Sequence, residues 1–343
     1  MEKYQFKTNQ VSLIYSNESA IEKYVISIAI PSYQRTNLLI RLLKSIEELR
    51  TSLAFEVVIT EDTREEEHIV IIREFLQKCN FKVRYFKNNK RLGLYPNWNQ
   101  AISLTKGTYF CLVHSDDVLH PLFLKAYEKD IGKEKVLGQK WTYLYVKENP
   151  NNLKDFLCSS QKEKPSKSLN VYSFLRGQLV CPLLGTLFLK EVLDVVGFFP
   201  CNEKFTNYED LVFMIKVSLY YNILQVQFNG YGYVIEDNYM LISNEWTESI
   251  TGLFYLRKQV LQKLNKFSLL AKAKCYSKII FEIHDRNKWN KNYCSSKESK
   301  AKVNKKEIYR SVKMPFVFII LKPLLFLIHY FWLLIKKVNE KVK

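Results

Sequence analysis

The sequence predicts an α/β fold, a doubly wound and mostly parallel sheet with helices on both faces, followed by a C-terminal helical, membrane-associated extension. Short apolar segments alternate with amphipathic helical segments four times between residues 24 and 113, which is typical of a parallel sheet covered by helices. Each apolar segment runs directly into a polar loop. The 343 residues are 47% hydrophobic and 25% charged, the balance of a globular protein with a sizeable core.

The four predicted strands are short and mostly apolar, and helical segments separate them. Thr36 or Asn37 can cap the first helix, Pro96 fits the first turn of the third, and Gly107 can supply a left-handed stop after it. The predicted strands are 24–30, 55–60, 83–86 and 108–113, and the predicted helices are 36–50, 65–78 and 96–104.

Beyond Asp130 the alternation is lost. Residues 147–170 are polar and rich in lysine, which indicates a long excursion or a mobile loop. The later segment NYEDLVFMIKVSLYYN predicts a helix with Glu209 and Asp210 in its first turn, where the helix dipole stabilises a carboxylate by about 0.3–1 kcal/mol.

The loops at the carboxyl ends of the predicted strands contain PSYQR, TEDT, NNKRLGLYPN and HSDD, and ligands bind at this edge in open α/β sheets. Asp116 and Asp117 are adjacent, and two carboxylates about 4 Å apart repel by roughly 4 kcal/mol at an effective dielectric of about 20. A divalent cation would offset this cost. A solvated turn at a strand end is the alternative.

The charge of the chain indicates its partners. The net charge is +18, and most of the cations are lysines, which become more frequent toward the C-terminus. No recognised nucleic-acid motif accompanies them, so we expect the partner to be an anionic membrane surface and not a nucleic acid. The seven cysteines form no CxxC pair and suit a reducing compartment. The N-terminal segment MEKYQFKTNQ lacks the apolar core of a secretory signal.

The apolar segment 316–335 is long enough for a bilayer span of about 20 residues, yet it contains Lys322, Pro323 and His329. Lysines flank it on both sides, so the positive-inside rule gives no orientation. Two interfacial helices broken at Pro323, a single span and a buried core helix all remain open, the first being favoured.

The motifs ISIAIPSYQR, EVVITED, NKRLGLYPNWNQAISLTKGTYFCLVHSDDVLHP and NYEDL, in this order, resemble the family-two glycosyltransferases with the GT-A fold. The resemblance covers roughly residues 24 to 250. Each motif is weak alone, and the ordered set is specific. It implies five regions: an N-terminal extension (1–23), a nucleotide-sugar-binding half (24–120), an acceptor-binding half (121–250), a helical basic linker (251–313) and an apolar membrane-associating tail (314–343).

The family implies a donor site at the strand ends. The base and ribose of the nucleotide would contact Pro31, Tyr33 and Arg35, although Tyr33 is also interpretable as an aromatic that covers the sheet edge. One of Glu61 and Asp62, with Asp62 favoured, would accept from the pyrimidine ring N–H. The loop that passes the nucleotide would contain Asn88, Arg91, Gly93 and Asn97, of which Gly93 permits a positive φ or a close approach and Asn97 is equally interpretable as a helix cap.

The same resemblance implies the catalytic groups. Asp117 would bind Mg²⁺ or Mn²⁺ on the diphosphate, with Asp116 on the ribose or the same metal. Asp210, with Glu209 beside it, would take the proton of the acceptor hydroxyl in an inverting transfer, the stabilising helix terminus being the alternative role of this pair.

Two features depart from the family pattern. His114 stands where relatives often have another aspartate, and it is equally interpretable as a histidine at the sheet edge. The segment DNYMLISNEWTES lacks the histidine that completes the metal shell in many relatives. Asp117 and the phosphates alone could hold the metal, His284 could help, or metal dependence could be weak or activity lost. Tyr239 and Trp246 are interpretable as an apolar acceptor platform or as ordinary packing.

The resemblance favours a metal-dependent inverting glycosyltransferase that moves a sugar from a nucleotide donor, UDP-linked by expectation, to a saccharide acceptor. The basic, apolar tail suggests a lipid-linked acceptor at the cytoplasmic face of the membrane, as in the assembly of surface polysaccharides such as capsules. The alternative is a catalytically inactive GT-A-like partner of a membrane glycosyltransferase. A third class, the nucleotidyltransferases, would require a glycine-rich loop after the first strand, and PSYQRTN does not contain one.

Overall fold

The structure is a computed structural model, and it divides the chain into two compact units. The larger contains residues 1–202 and 209–237, and the smaller contains residues 203–208 and 238–343. The structure describes residues 3–18, 23–147, 149–161, 164–171, 182–201, 209–234, 246–266, 268–293 and 304–314.

The larger unit contains a nine-stranded mixed sheet in the order β1-β4-β3-β2-β5-β10-β7-β11-β9 and a three-stranded sheet in the order β6-β12-β8. The strands are β1 Val11–Ser16, β2 Ile26–Ser32, β3 Phe55–Glu61, β4 Lys82–Asn88, β5 Tyr109–Leu112, β6 Val118–Leu119, β7 Val136–Gly138, β8 Trp141–Leu144, β9 Lys167–Leu169, β10 Leu187–Leu189, β11 Ile223–Gln225 and β12 Tyr231–Val234.

Four neighbouring strands, β4, β3, β2 and β5, are parallel, and these are the four strands that the sequence predicts. The helices of this unit are α1 Thr36–Glu47, α2 Glu66–Leu76, α3 Leu94–Ser103, α4 Asn151–Cys158, α5 Val192–Val196 and α6 Glu209–Tyr220. Right-handed crossovers place α1 and α2 on one face of the parallel strands and α3 on the other. The predicted α/β fold with helices on both faces is therefore confirmed.

The N-terminal segment belongs to the sheet. Strand β1 pairs antiparallel with β4, so residues 11–16 close one edge of the sheet within the predicted N-terminal extension. The antiparallel strands β10 and β9 lie beyond β5 on the other side.

The prediction of a long loop over residues 147–170 is wrong for its described parts. Helix α4 and strand β9 lie in this segment, and Leu153, Phe156 and Leu157 pack into an apolar cluster under the small sheet. Their spacing of three and four residues is that of one helical face. The burial of this face offsets the polar, lysine-rich composition that suggested a loop.

Gly107 does not provide the predicted left-handed stop, because its φ is not positive. A Cβ at this position would lie 2.7 Å from the Ser27 backbone nitrogen. Glycine is therefore required here so that the chain can enter β5 directly beside β2.

The smaller unit is helical in its described parts, which are α7 Trp246–Lys263, α8 Leu269–Tyr293 and α9 Lys305–Ser311. These helices share an apolar core around Phe254, Ile279 and Ile308, and Arg257 pairs with Glu282 at 2.6 Å. The predicted apolar tail at 316–335 lies outside the described residues. Within the described residues, every helix is too short or too polar to cross a bilayer.

A buried ion pair fixes the end of the parallel strands opposite to the polar loops. Glu56, which is 1% exposed, accepts from Arg84 at 2.7 Å, from the Ser27 hydroxyl at 2.5 Å and from the Lys106 backbone N–H at 2.6 Å. Its carboxylate therefore joins β2, β3, β4 and the start of β5 at one point.

We predict that Glu56→Ala destabilises the protein by about 3–5 kcal/mol, because it leaves the Arg84 guanidinium buried with less compensation. Urea denaturation followed by circular dichroism measures this change. Glu66→Ala is the matched control, since Glu66 pairs with Lys87 while its side chain is 75% exposed, and it should cost less than about 1 kcal/mol. Equal losses in the two variants would contradict the prediction.

Candidate active site

The polar loops of the parallel strands lie along one edge of the sheet. Asp62 directly follows β3, and Asp116 and Asp117 follow β5, with β2 paired in parallel to both strands. The carboxyl ends of parallel strands meet at the same edge, so these three carboxylates share it.

Asp62 holds the loop between β4 and α3. Its buried carboxylate accepts from the backbone N–H groups of Leu92 at 2.8 Å and Gly93 at 2.9 Å, and from the Asn88 side-chain amide at 3.0 Å. The Leu92 N–H also reaches the second carboxylate oxygen at 3.0 Å, so each oxygen of Asp62 already accepts two contacts.

Gly93 has the positive φ that the sequence analysis expected, at 82°, and it directly precedes α3. A Cβ at Gly93 would meet no atom within 4 Å, so the glycine is required by its backbone conformation and not by a close approach.

Asn97 lies within α3 and not in the loop, and it is not the helix cap, because Gly93 occupies that position. Its side chain accepts from the Thr60 hydroxyl at 2.8 Å and from the Asn88 amide at 2.9 Å, and donates to the Ser32 carbonyl at 3.2 Å. Asn88 is likewise the last residue of β4 and not part of the loop. Asn97 therefore connects the carboxyl ends of three parallel strands.

Glu61 is fully buried and serves a different purpose from its neighbour Asp62. Its carboxylate accepts from the Thr63 backbone N–H at 3.0 Å and lies 2.6 Å from His68 Nε2, while His68 Nδ1 lies 2.6 Å from the Thr36 hydroxyl. This chain of contacts joins the end of β3 to α1 and α2, and it leaves Asp62 as the acidic residue nearer the loop.

Tyr33 and Arg91 form an exposed contact beside this loop. The Arg91 guanidinium lies 4.5 Å from the centre of the Tyr33 ring, and Tyr33 is 37% exposed. Pro31, in contrast, is buried within β2 and pairs in register with Thr60. An aromatic face beside an accessible cation is suited to a planar, negatively charged ligand such as a nucleotide.

The repulsion between Asp116 and Asp117 is offset by different partners. Arg35 pairs with the Asp116 carboxylate, and Arg41 donates to the Asp116 backbone carbonyl at 2.5 Å. Asp117 is 1% exposed, and it accepts from the Tyr231 hydroxyl at 2.6 Å and from the Val234 backbone N–H at 3.0 Å. Burial and the neighbouring Asp116 charge raise the pKa of Asp117 well above its usual value.

His114 belongs to the same cluster. One ligand atom from each of His114, Asp116 and Asp117 lies within 4.8 Å of the others. The His114 ring packs against Trp98 at 4.9 Å, and its buried Nε2 atom has no hydrogen-bond partner among the described residues. Burial lowers the pKa of His114, which keeps the imidazole neutral, the form that binds a metal. One nitrogen and two carboxylates therefore fit a divalent cation such as Mn²⁺.

Glu209 and Asp210 lie in the first turn of α6, as the sequence predicts. Glu209 hydrogen-bonds to Tyr95, and burial together with both carboxylates raises the pKa of that phenol. Burial raises the pKa of Tyr233, and the charges of Asp117, Asp116 and Asp210 raise it further.

Sequence pattern leaves the role of His114 open and does not indicate Arg41 or Tyr231. His284 lies on α8 in the smaller unit, and the side chains of Tyr239 and Trp246 lie outside the described residues. Tyr231 is separated from Asp117 by 114 residues, so no local pattern connects them. The alternation of tyrosines at 231 and 233 was the one available signal, since it places both on the same face of a strand.

The comparisons with known proteins agree with this geometry. The family described as glycosyl transferase family 2 matches residues 27–196. An uncharacterized glycosyltransferase of Methanocaldococcus jannaschii is 21% identical over 280 residues, which are 80% of this chain and 84% of that protein.

Two solved structures show the same fold. TarS of S. aureus in complex with UDP-GlcNAc has a TM-score of 0.52 and 16% identity, over 75% of this chain and 81% of that chain. The mannosyltransferase PcManGT from Pyrobaculum calidifontis in complex with GDP-Man and Mn²⁺ has a TM-score of 0.51 and 12% identity, over 93% and 88% of the two chains.

The parallel strands with acidic side chains at their carboxyl ends, the family match over this same region and the shared fold lead to one conclusion: residues 27–196 form a glycosyl transferase family 2 domain, within a unit that has the GT-A fold.

Proposed function

We propose that the protein transfers a sugar, with inversion, from a UDP-linked donor to a saccharide acceptor, and that the acceptor is lipid-linked. The observation that carries this proposal is the gathering of Asp62, Asp116 and Asp117 at one edge of the sheet, with His114 beside the paired aspartates.

The donor base would lie beside the loop that Asp62 holds. Uracil has a ring N–H where cytosine has an acceptor, so an acceptor carboxylate beside the base, that of Asp62, favours uracil. The Tyr33 ring would stack on the base. The Arg91 guanidinium, which lies beside that ring, would place its positive charge near the phosphate that is attached to the ribose. The UDP-GlcNAc complex of TarS supports a UDP-sugar.

Asp116, Asp117 and His114 would hold the divalent cation, Mg²⁺ or Mn²⁺. When bound, the cation supplies positive charge to the diphosphate that leaves. Arg35 and Arg41 hold the loop of the paired aspartates in place, and Tyr231 fixes the orientation of the Asp117 carboxylate through its hydroxyl.

Asp210 would take the proton from the acceptor hydroxyl as this oxygen attacks the anomeric carbon from the face opposite to the leaving diphosphate. Tyr95 orients the first turn of α6 through its hydrogen bond to Glu209. The raised pKa of Asp210, which burial causes, makes this carboxylate a stronger base than an exposed aspartate.

We predict that Asp117→Ala abolishes the Mn²⁺-dependent part of UDP binding, because it removes a carboxylate of the cation site. Titration calorimetry with UDP, with and without Mn²⁺, measures this change. Asp130→Ala is the control, since Asp130 is a buried aspartate that bonds to Ser166 and Lys133 away from the site. Wild-type affinity for UDP that does not respond to Mn²⁺ would contradict the metal assignment.

We predict that Asp210→Asn keeps UDP binding and lowers transfer by about 10²–10⁴-fold, since it removes the base. In the wild-type protein transfer should fall as the pH is lowered through the raised pKa of Asp210, so the acid limb should lie above the range of an ordinary aspartate. In the Asp210→Asn variant, kcat should no longer show this fall at low pH. The UDP-sugar that serves as donor, in the transfer assay of the variant and in the pH profile, is chosen by a screen for slow hydrolysis by the wild-type protein.

The inactive-partner alternative gives a different result in these experiments. It retains UDP binding, shows no hydrolysis of any nucleotide sugar and shows no difference between the wild-type protein and Asp210→Asn. Full transfer by Asp210→Asn would instead show that another group is the base.

We place the protein at the cytoplasmic face of the membrane, attached through the tail, because lysines surround the apolar segment 316–335. Deletion of residues 316–343 should release the protein from vesicles that contain anionic lipid, while UDP binding persists. The deletion keeps Met314, which is 8% exposed and belongs to the core of the smaller unit. Continued sedimentation of the shortened chain with vesicles would contradict the role of the tail.

A further inference from the structure

One face of the small sheet is aromatic. Strands β8 and β12 are parallel, and their register places Trp141 beside Tyr231 and Tyr143 beside Tyr233. Since side chains two residues apart on a strand point the same way, these four rings share one face. The opposite face contains Leu144 and Val234 and packs on α4.

The rings form a continuous surface. Trp141 stacks on Tyr233 with ring centres 5.0 Å apart and planes 3° apart, and Tyr143 meets Tyr233 edge to face at 5.7 Å. The Trp141 indole N–H donates to the Leu184 carbonyl at 2.9 Å, which fixes the ring. A rise of about 3.3 Å per residue separates the two pairs by roughly 7 Å along the strands, about the length of one sugar ring.

The exposure of these rings increases with distance from the paired aspartates. Tyr231 is fully buried with its hydroxyl on Asp117, Trp141 and Tyr233 are half-buried, and Tyr143 is 56% exposed. The aromatic face therefore begins at the candidate cation site and ends in solvent.

The face also lies close to the candidate cation site. Tyr233 is two residues from Tyr231, whose hydroxyl bonds to Asp117, so a molecule that covers the Tyr233 ring has one end near the paired aspartates and the other toward Tyr143. This is the placement that an acceptor needs if its hydroxyl is to reach the anomeric carbon.

Sugars fit this surface by their chemistry. The C–H groups on one face of a pyranose carry partial positive charge and meet the negative face of an aromatic ring, while the hydroxyls at the rim remain solvated or reach the carboxylates. A lipid chain would instead need an enclosed apolar groove, and the exposed Tyr143 ring does not provide one.

We propose that Trp141, Tyr143 and Tyr233 form the platform on which one sugar ring of the acceptor stacks. This inference rests on the proposed function, which it deepens by assigning the acceptor side of the site to the small sheet.

The test uses saturation-transfer NMR on the full chain with UDP and Mn²⁺. The probes are methyl glycosides of glucose, galactose, mannose and N-acetylglucosamine, together with octyl β-glucoside below its micelle concentration. We expect ring protons of at least one glycoside to receive saturation. Tyr143→Ala should weaken that binding about tenfold, and Tyr143→Phe, which keeps the ring, should restore it.

Tyr220→Ala is the matched control, because Tyr220 is also an exposed tyrosine, at 51%, and lies at the far end of α6 from Asp210. It should leave the saturation unchanged. The platform is overturned if no glycoside ring receives saturation, if Tyr143→Ala and Tyr220→Ala behave alike, or if only the alkyl chain of octyl glucoside responds.

A parallel titration with UDP separates this inference from the proposed function. Failure of the wild-type protein to bind UDP, with glycoside binding that still depends on Tyr143, would overturn the transferase and leave the platform as a saccharide site. UDP binding with glycoside binding indifferent to Tyr143 would overturn the platform alone.

Discussion

The site depends on the spacing of three parallel strand ends, and the side-chain amide of Asn97 sets that spacing. It bonds to groups on β2, β3 and β4 from the first turn of α3, so the helix and the strands are fixed relative to one another. Asn88 extends the same network to Asp62, which in turn holds the backbone of the loop at Leu92 and Gly93. Burying an amide or a carboxylate costs free energy unless the group is hydrogen-bonded. The hydrogen bonds described here are formed together only when the strand ends and the loop have this one arrangement.

Charge compensation at the edge divides the paired aspartates into two environments. Asp116 meets a guanidinium and retains some access to solvent, whereas Asp117 is enclosed by neutral donors from β12. Burial, together with the charge of Asp116, therefore raises the pKa of Asp117. His114 adds a neutral nitrogen to this pair, so a cation that binds here is attracted by two carboxylates and meets no competing proton on the imidazole.

The features that follow from local pattern could be predicted, and those that join distant segments could not. The four apolar strands and the first turn of α6 are visible because burial imposes a period on the sequence. The role of Asn97 is not visible in the sequence, because its partners lie on three separate strands. An asparagine at this position also fits the pattern of a helix cap. Tyr231 and the small sheet come from strands of two to four residues, which are too short to carry a period. Helix α4 was missed although its apolar spacing was present, because lysines and prolines around it dominated the composition.

Strand β12 pairs with two strands that have different roles. Through β6 it continues the segment that carries the paired aspartates, and through β8 it borders the aromatic surface. The residues that orient Asp117 are on β12, while the most exposed ring is on β8. Under the proposed function, substitutions on β8 would change which acceptor binds without disturbing the groups assigned to the leaving diphosphate, so the acceptor side could diversify while the donor side stayed constant.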